Sequence, residues 1–359
     1  MKRILLLWIT CFLLVLFGCA QPQIVDENRI VHVAGFDMKG KSINGTILYP
    51  EYTHGVETKP QTQSTTAQTF ETITSHLNSE SPYKIVLGQM STLLFGKSVA
   101  QNGISDIVEN LLRNPDIGRD VQLAVVDGSA EKLLNDVVKN DSLYLTQLIE
   151  QNIKNESIPR TNLHVFLYDY FSFLRDPFVP HIQKKEQGSV AVTGLAFFKE
   201  DKVVMYVNQQ DAFLVKLLVT PTQNGRYEMT LKKEGKKGTI VIQNLLGDSK
   251  FYVTQNGSFP KVNITLQVDG LIEKAPAWMN LTKEQDILYI KHQLEKTLKK
   301  ELSTLIQRFQ KKEIDPLGIR EEIRSHSRKW NNKQIRNMYP SVSITVKAKV
   351  NVVQSGIGE

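Results

Sequence analysis

Runs of β-branched and aromatic residues alternate, over residues 29–187, with stripes in which apolar positions recur every three or four residues. The runs at 30–36 and 43–52, separated by Lys39-Gly40-Lys41, predict a hairpin. Residues 53–66 are polar and predict an exposed loop. Phe70, Ile73 and Leu77 are spaced for a helix over 67–78. A second stripe, Ile104, Ile107, Val108, Leu111 and Leu112, stops at Asn114-Pro115. The run 121–126 reads as a buried strand, and helices are expected around Leu133, Leu134 and Val137 and over 143–153. Strands in alternation with helices predict a sheet covered by helices.

Residues 175–188, with two prolines and a charged stretch, read as an extended connection and suit a domain boundary. A β-rich part follows: a hairpin of 190–198 and 203–207 about Lys199-Glu200-Asp201-Lys202, then runs at 227–232, 239–245, 251–254 and 262–268. Ile287, Ile290, Leu294, Leu298, Leu302, Leu305 and Phe309 stripe a long helix, expected to pack on its own sheet, the alternative being a coiled-coil seam for a partner, with Thr282 as N-cap and Gln285 as its capping-box partner. Asp315-Pro316 breaks that helix and starts another. Val342, Ile344, Val346, Ala348, Val350 and Val352 alternate with polar residues, which predicts a long C-terminal antiparallel strand with one wet face. The expected fold class is α+β: a mixed α/β region, then a β-rich region with a long amphipathic helix.

The N-terminus has a different pattern. Lys2 and Arg3 precede an unbroken apolar run over 4–17, shorter than the roughly twenty residues a spanning helix needs. That is signal-peptide length. The run ends in Leu16-Phe17-Gly18-Cys19, a lipobox: a branched aliphatic at −3, a small residue at −1 and cysteine at +1. Cys19 is the expected lipidation site, carrying S-diacylglycerol and, after cleavage, an N-acyl group. Two acyl chains contribute ~0.8 kcal/mol per buried methylene, enough to make release from the bilayer negligible. The division expected is a signal peptide at 1–18, a lipid-anchored tether at 19–28, an N-terminal domain at 29–187 and a C-terminal domain at 188–359. No later apolar run has spanning length.

Composition narrows the function classes. The formal net charge is +7, and cleavage before Cys19 removes Lys2 and Arg3 to leave +5. That mild excess suits a body beside anionic headgroups. Basic residues alternate with acids and form no aromatic-basic patch, so no nucleic-acid partner is expected. The two cysteines are Cys11 and Cys19, and only Cys19 survives cleavage, so the mature chain has no internal disulfide and no thiol nucleophile.

No catalytic residue, metal ligand or cofactor-binding residue is assigned. The histidines at 32, 54, 76, 164, 181, 292 and 326 show no H-E-x-x-H or H-x-H spacing. There is no G-x-S-x-G elbow. Gly96-Lys97-Ser98 imitates the end of a phosphate loop, but the preceding glycine, Gly88, is too distant for the amides to wrap a phosphate. Asp169 and Asp176 are candidate paired carboxylates whose juxtaposition sequence cannot establish. Trp278, Trp330 and Tyr339 suit helix–sheet packing better than a ligand groove. The chain is therefore not expected to be an enzyme.

Four segments carry a family resemblance: the lipobox at Cys19; Leu87-Gly88-Gln89-Met90-Ser91-Thr92-Leu93-Leu94-Phe95-Gly96 with Leu111-Leu112-Arg113-Asn114-Pro115-Asp116-Ile117; Asp176-Pro177-Phe178-Val179-Pro180 through Gly194-Leu195-Ala196-Phe197-Phe198-Lys199-Glu200-Asp201-Lys202; and Asp315-Pro316-Leu317-Gly318-Ile319 with Trp330 and the last strand. In this order the chain resembles the C-subunit lipoproteins of spore germinant receptors, the Ger(x)C family. The resemblance implies an α+β body, open to division into three structural domains, on the outer face of the spore inner membrane. It implies two integral membrane partners, the A- and B-type subunits, and a non-enzymatic part in the response to small nutrients. It leaves direct germinant contact open. The competing reading is a substrate-binding lipoprotein of a nutrient uptake system, which would need two similar lobes about a cleft.

Overall fold

The computed structural model describes residues 28–53, 56–57, 59–254, 259–327 and 330–354. Its largest element is an eight-stranded mixed sheet in the order Lys202–Asn208, Val190–Lys199, Phe178–Lys184, Gln122–Val126, Thr92–Gly96, Val33–Lys39, Ser42–Tyr49, Gln61–Ala67. The four central strands run parallel, and an antiparallel pair of strands extends each side. Thr92–Gly96 is wholly buried, as a parallel strand covered on both faces must be. The hairpin about Gly40 forms as its turn residues dictate, with Gly40 at a φ of +66°.

Helices cover both faces. Phe70–Ser79, Lys97–Asn102, Ser105–Arg113 and Leu163–Phe171 pack on one, around Phe36, Phe95, Phe166 and Phe198. Ala130–Val137, Tyr144–Lys154 and Gln209–Val219 pack on the other. Gln209–Val219 is buried on all sides from Ala212 to Leu218, because it is wedged between the large sheet and a second, four-stranded sheet. Its lack of a polar stripe hid it from periodicity.

The second sheet has the order Thr222–Lys233, Lys236–Thr254, Lys261–Lys274, Ser343–Gln354. The helix Glu284–Lys312 lies across it, with Ile290, Leu294, Leu298, Leu302, Leu305, Ile306 and Phe309 buried. One apolar core runs from Val33 and Leu94 of the large sheet through Leu214 to Ile264, Leu298 and Val346.

Four expectations are corrected. Residues 61–67 are a strand, not loop: a Thr/Gln-rich edge strand that turns only part of one face inward. The C-terminal strand is long and one-faced, but it runs parallel to Lys261–Lys274, with Val262 opposite Ile344 and Val268 opposite Val350. The connection between them carries the long helix Glu284–Lys312 and the helices Ile319–His326 and Asn332–Met338, the kind of crossover a parallel pair requires. Thr282 is not the N-cap: the helix opens after Lys283, and Thr282 donates to Asn280 Oδ1 at 2.7 Å. Finally, 175–188 is no linker. Phe178–Lys184 is a strand of the large sheet and turns at 185–189 into Val190–Lys199, so the sheet draws strands from both sides of residue 187.

Candidate functional site

Cys19, the expected lipidation site, lies outside the described residues, as do Lys2, Arg3 and the apolar run. What the body itself assembles is a buried charge cluster where the middle of the chain meets the segment that follows its longest helix.

Asp176 sits just ahead of the strand Phe178–Lys184. Asp315 follows the long helix, and Arg320 stands in the first turn of the helix Ile319–His326. Their exposures are 5%, 0% and 1%. The Arg320 guanidinium donates to Asp176 Oδ2, and its Nε donates to the Leu174 carbonyl at 3.1 Å and lies 3.6 Å from Asp315 Oδ2. The Asp315 amide donates to Asp176 Oδ2 at 2.7 Å, and the Arg320 amide donates to Asp315 Oδ2 at 2.6 Å. The Asp176 amide closes the loop on the Asp315 carbonyl at 3.2 Å. Tyr339 covers the guanidinium, its ring centroid 5.5 Å away.

Local sequence explains the geometry. Pro316 cannot continue a helix, and Glu313 and Gly318 take left-handed conformations, at φ +57° and +76°, that turn the chain back on itself. A side chain on Gly318 would press on the Arg175 guanidinium. Burial pushes the Asp315 carboxyl above the usual carboxylate range, a shift that Arg320 opposes. Asp169, buried nearby, is raised to about 6 by burial, with Arg175 at 3.9 Å opposing the shift. The expected carboxylate candidates Asp169 and Asp176 thus share one charge network with arginines and do not face each other across a cleft. Arg320 is the residue that sequence reasoning passed over. The two Asp-Pro pairs are visible in the sequence; a cation five residues after one and 144 after the other, in no regular pattern, is not.

The other candidates resolve as packing. The cap of the helix Ala130–Val137 is occupied by Asp37, whose carboxylate accepts from the Ala130 and Glu131 amides at 3.0 and 2.9 Å and from the Ser129 hydroxyl. Gly96 abuts Asp37, where a Cβ would collide with the carboxylate. Lys97 Nζ is 2.9 Å from Asp127, which holds the Asp127 carboxyl below its usual range. The Gly96-Lys97-Ser98 turn thus packs against a carboxylate that caps a different helix, Ala130–Val137, and its closeness to Asp37 leaves a phosphate no room beside Gly96. His181 is buried against Tyr206, and burial lowers its pKa. Tyr339 and Trp330 are buried and Trp278 packs against the same core. Among the described residues no three of His, Cys, Asp and Glu gather to hold a metal ion.

Comparisons with known proteins agree with this layout. Residues 21–184 match the family model for the spore germination protein N-terminal domain, and 193–356 match the spore germination B3/GerAC-like C-terminal model. The chain is 34% identical to the spore germination protein GerQC of Bacillus cereus, with 100% of each chain covered. It is 24% identical to the putative spore germination protein YfkR of Bacillus subtilis (strain 168), over 74% of this chain and 71% of that one. The crystal structure of the GerBC protein shares the fold, with a TM-score of 0.57 at 13% identity over 89% of this chain and 96% of that one. The single cluster of Asp176, Asp315 and Arg320 thus joins the two family regions, one aspartate from each matched segment, and the chain belongs to the GerAC-like family of spore germination proteins.

Proposed function

We propose that this protein is the lipid-anchored, non-catalytic C subunit of a nutrient germinant receptor. The observation that carries the reading is the match of both family regions, in order, along nearly the whole chain. The signal peptide at 1–18 directs export, Cys19 takes the lipid, and the tether to residue 28 holds the body at the outer face of the spore inner membrane. There the body assembles with two integral membrane subunits. Confinement to a surface raises effective concentration, so modest contacts suffice. Germinant binding shifts the receptor equilibrium, and a rigid body with a clamped core stabilises the active state. No helix among the described residues is long and apolar enough to cross a membrane. The uptake reading calls for two similar lobes. Here an eight-stranded mixed sheet and a four-stranded sheet share one core.

The test is genetic and biochemical. Spores lacking the protein are expected to lose the response to one nutrient class, and a Cys19→Ala protein is expected to leave the membrane fraction. Normal germination together with membrane retention of Cys19→Ala would refute the reading.

A further inference from the structure

The parallel strands give the body two ends. Val33 pairs with Thr92 and Thr92 with Gln122, while Val125 pairs with His181, so Val33, Thr92, Gln122 and Phe178 stand level at the amino end of the sheet. The chain enters at this end, through Asn28–Ile30, beside Lys84–Val86. Phe178 is three strands from Val33, about 15 Å at the usual strand spacing. The segment leading into Phe178 carries Phe171 and Phe173, which are 55% and 49% exposed, and Tyr83, 46% exposed, precedes Lys84–Val86.

Basic residues flank Phe173, one of them, Arg336, also 3.3 Å from Glu200. The Arg336 guanidinium lies 5.4 Å from the Phe173 ring centroid. A shallow groove of about 530 Å³ is bordered by Phe173, Arg324, Asn331, Asn332 and Lys333. Arg324 and Lys333 are exposed there, and Glu321 and Glu322 stand on the same helix as Arg324. Exposed aromatic rings beside the exposed Arg324 and Lys333 suit the headgroup layer of an anionic bilayer, where the rings sit among headgroups and each nearby Lys or Arg is worth roughly fivefold in partition.

We infer that the amino end of the large sheet is the membrane-facing surface of this protein, with Phe171 and Phe173 in the headgroup layer of an anionic bilayer. This rests on the anchored reading above. The eight residues from 20 to 27 reach about 28 Å when extended, which keeps the body at the bilayer without choosing its orientation. The aromatic and basic surface beside the point of chain entry makes that choice. It turns the carboxyl end of the parallel strands, with Lys39, away from the lipid.

The experiment uses the full-length protein expressed with its signal peptide and reconstituted into phosphatidylglycerol-containing vesicles. Phe173→Cys, Phe171→Cys and the opposite-end control Lys39→Cys each receive an environment-sensitive fluorophore. The labels at 173 and 171 are expected to shift to the blue and to be quenched by nitroxide lipid, and the label at 39 to do neither. Phosphatidylcholine vesicles are expected to weaken the shift. Vesicle-bound protein whose label at 173 stays as wet as that at 39 overturns the orientation and leaves the anchor intact. A label that is wet in vesicles but shielded in spore membranes overturns it in favour of a protein contact. Protein recovered free, with an unmodified Cys19, overturns the anchored reading and this inference with it.

Discussion

Arg320 is nearly inaccessible to solvent, yet every side of its guanidinium meets a carboxylate, a carbonyl or a ring. Burying a charge is costly unless it is paired and hydrogen-bonded, and removing one partner leaves the others uncompensated. Arg320→Ala strands Asp176 and Asp315 in a dry interior and is expected to cost about 3–5 kcal/mol, read from the urea midpoint of the mature protein. A midpoint unchanged from wild type would mean that the cluster is solvated. Asp169 makes the opposite case. Its folded-state pKa of about 6 lies above the ordinary value, so the folded state holds the proton more tightly. The stability it contributes is full below about pH 4 and is lost as pH rises through about 6, a penalty of roughly 2–3 kcal/mol at neutral pH. Asp169→Asn is expected to be more stable than wild type at pH 7 and to flatten the stability profile between pH 4 and 6. A variant weaker at pH 7 with the slope retained would assign the charge a net stabilising part through Arg175.

The helix Glu284–Lys312 shows what periodicity specifies for an element. Seven apolar positions at three- and four-residue spacing define one face, and the structure buries that face except at Ile287, which is half-buried at its rim. Leu298 is fully buried and Leu288, on the same helix, is 43% exposed. Leu298→Ala is expected to cost about 2–5 kcal/mol through lost burial and a cavity. Leu288→Ala is expected to stay within about 0.5 kcal/mol, and equal losses in thermal unfolding would show that the helix does not sit as described. The terminal strand marks the limit of the same reasoning. Alternation placed Val346 and Val350 inward and Lys347 and Lys349 outward. It carried no information on the direction of the neighbouring strand, because that depends on the path of the intervening helix.

Across the whole molecule, the core is continuous. Gln209–Val219 is buried between the sheets, and Asp176 and Asp315 lock the segments on either side. Elements that share one core unfold together. Calorimetry of the mature protein is expected to show one transition, whereas two well-separated transitions would restore independent units to either side of residue 187. The family regions meet at 184 and 193, inside a hairpin of the large sheet, so the sequence families divide where the backbone turns and not where the packing ends.

Local order was legible along the chain because it is written in local chemistry. The stripes at 104–112 and 287–309, the hairpins about Gly40 and about 199–202, and the one-faced terminal strand follow from spacing and turn residues alone. The lipobox is likewise a linear signal, since the export and lipidation machinery meets an extended segment. Partnership was decided only in three dimensions. A polar edge strand at 61–67, a helix apolar on every side at 209–219, a parallel partner for the last strand, and an arginine shared by two distant aspartates each depend on what lies across the fold. Spacing along a chain reports which side of an element is apolar. It does not report what that side meets, because the free energy of burial depends on residues that are distant in sequence and adjacent only once the chain has folded.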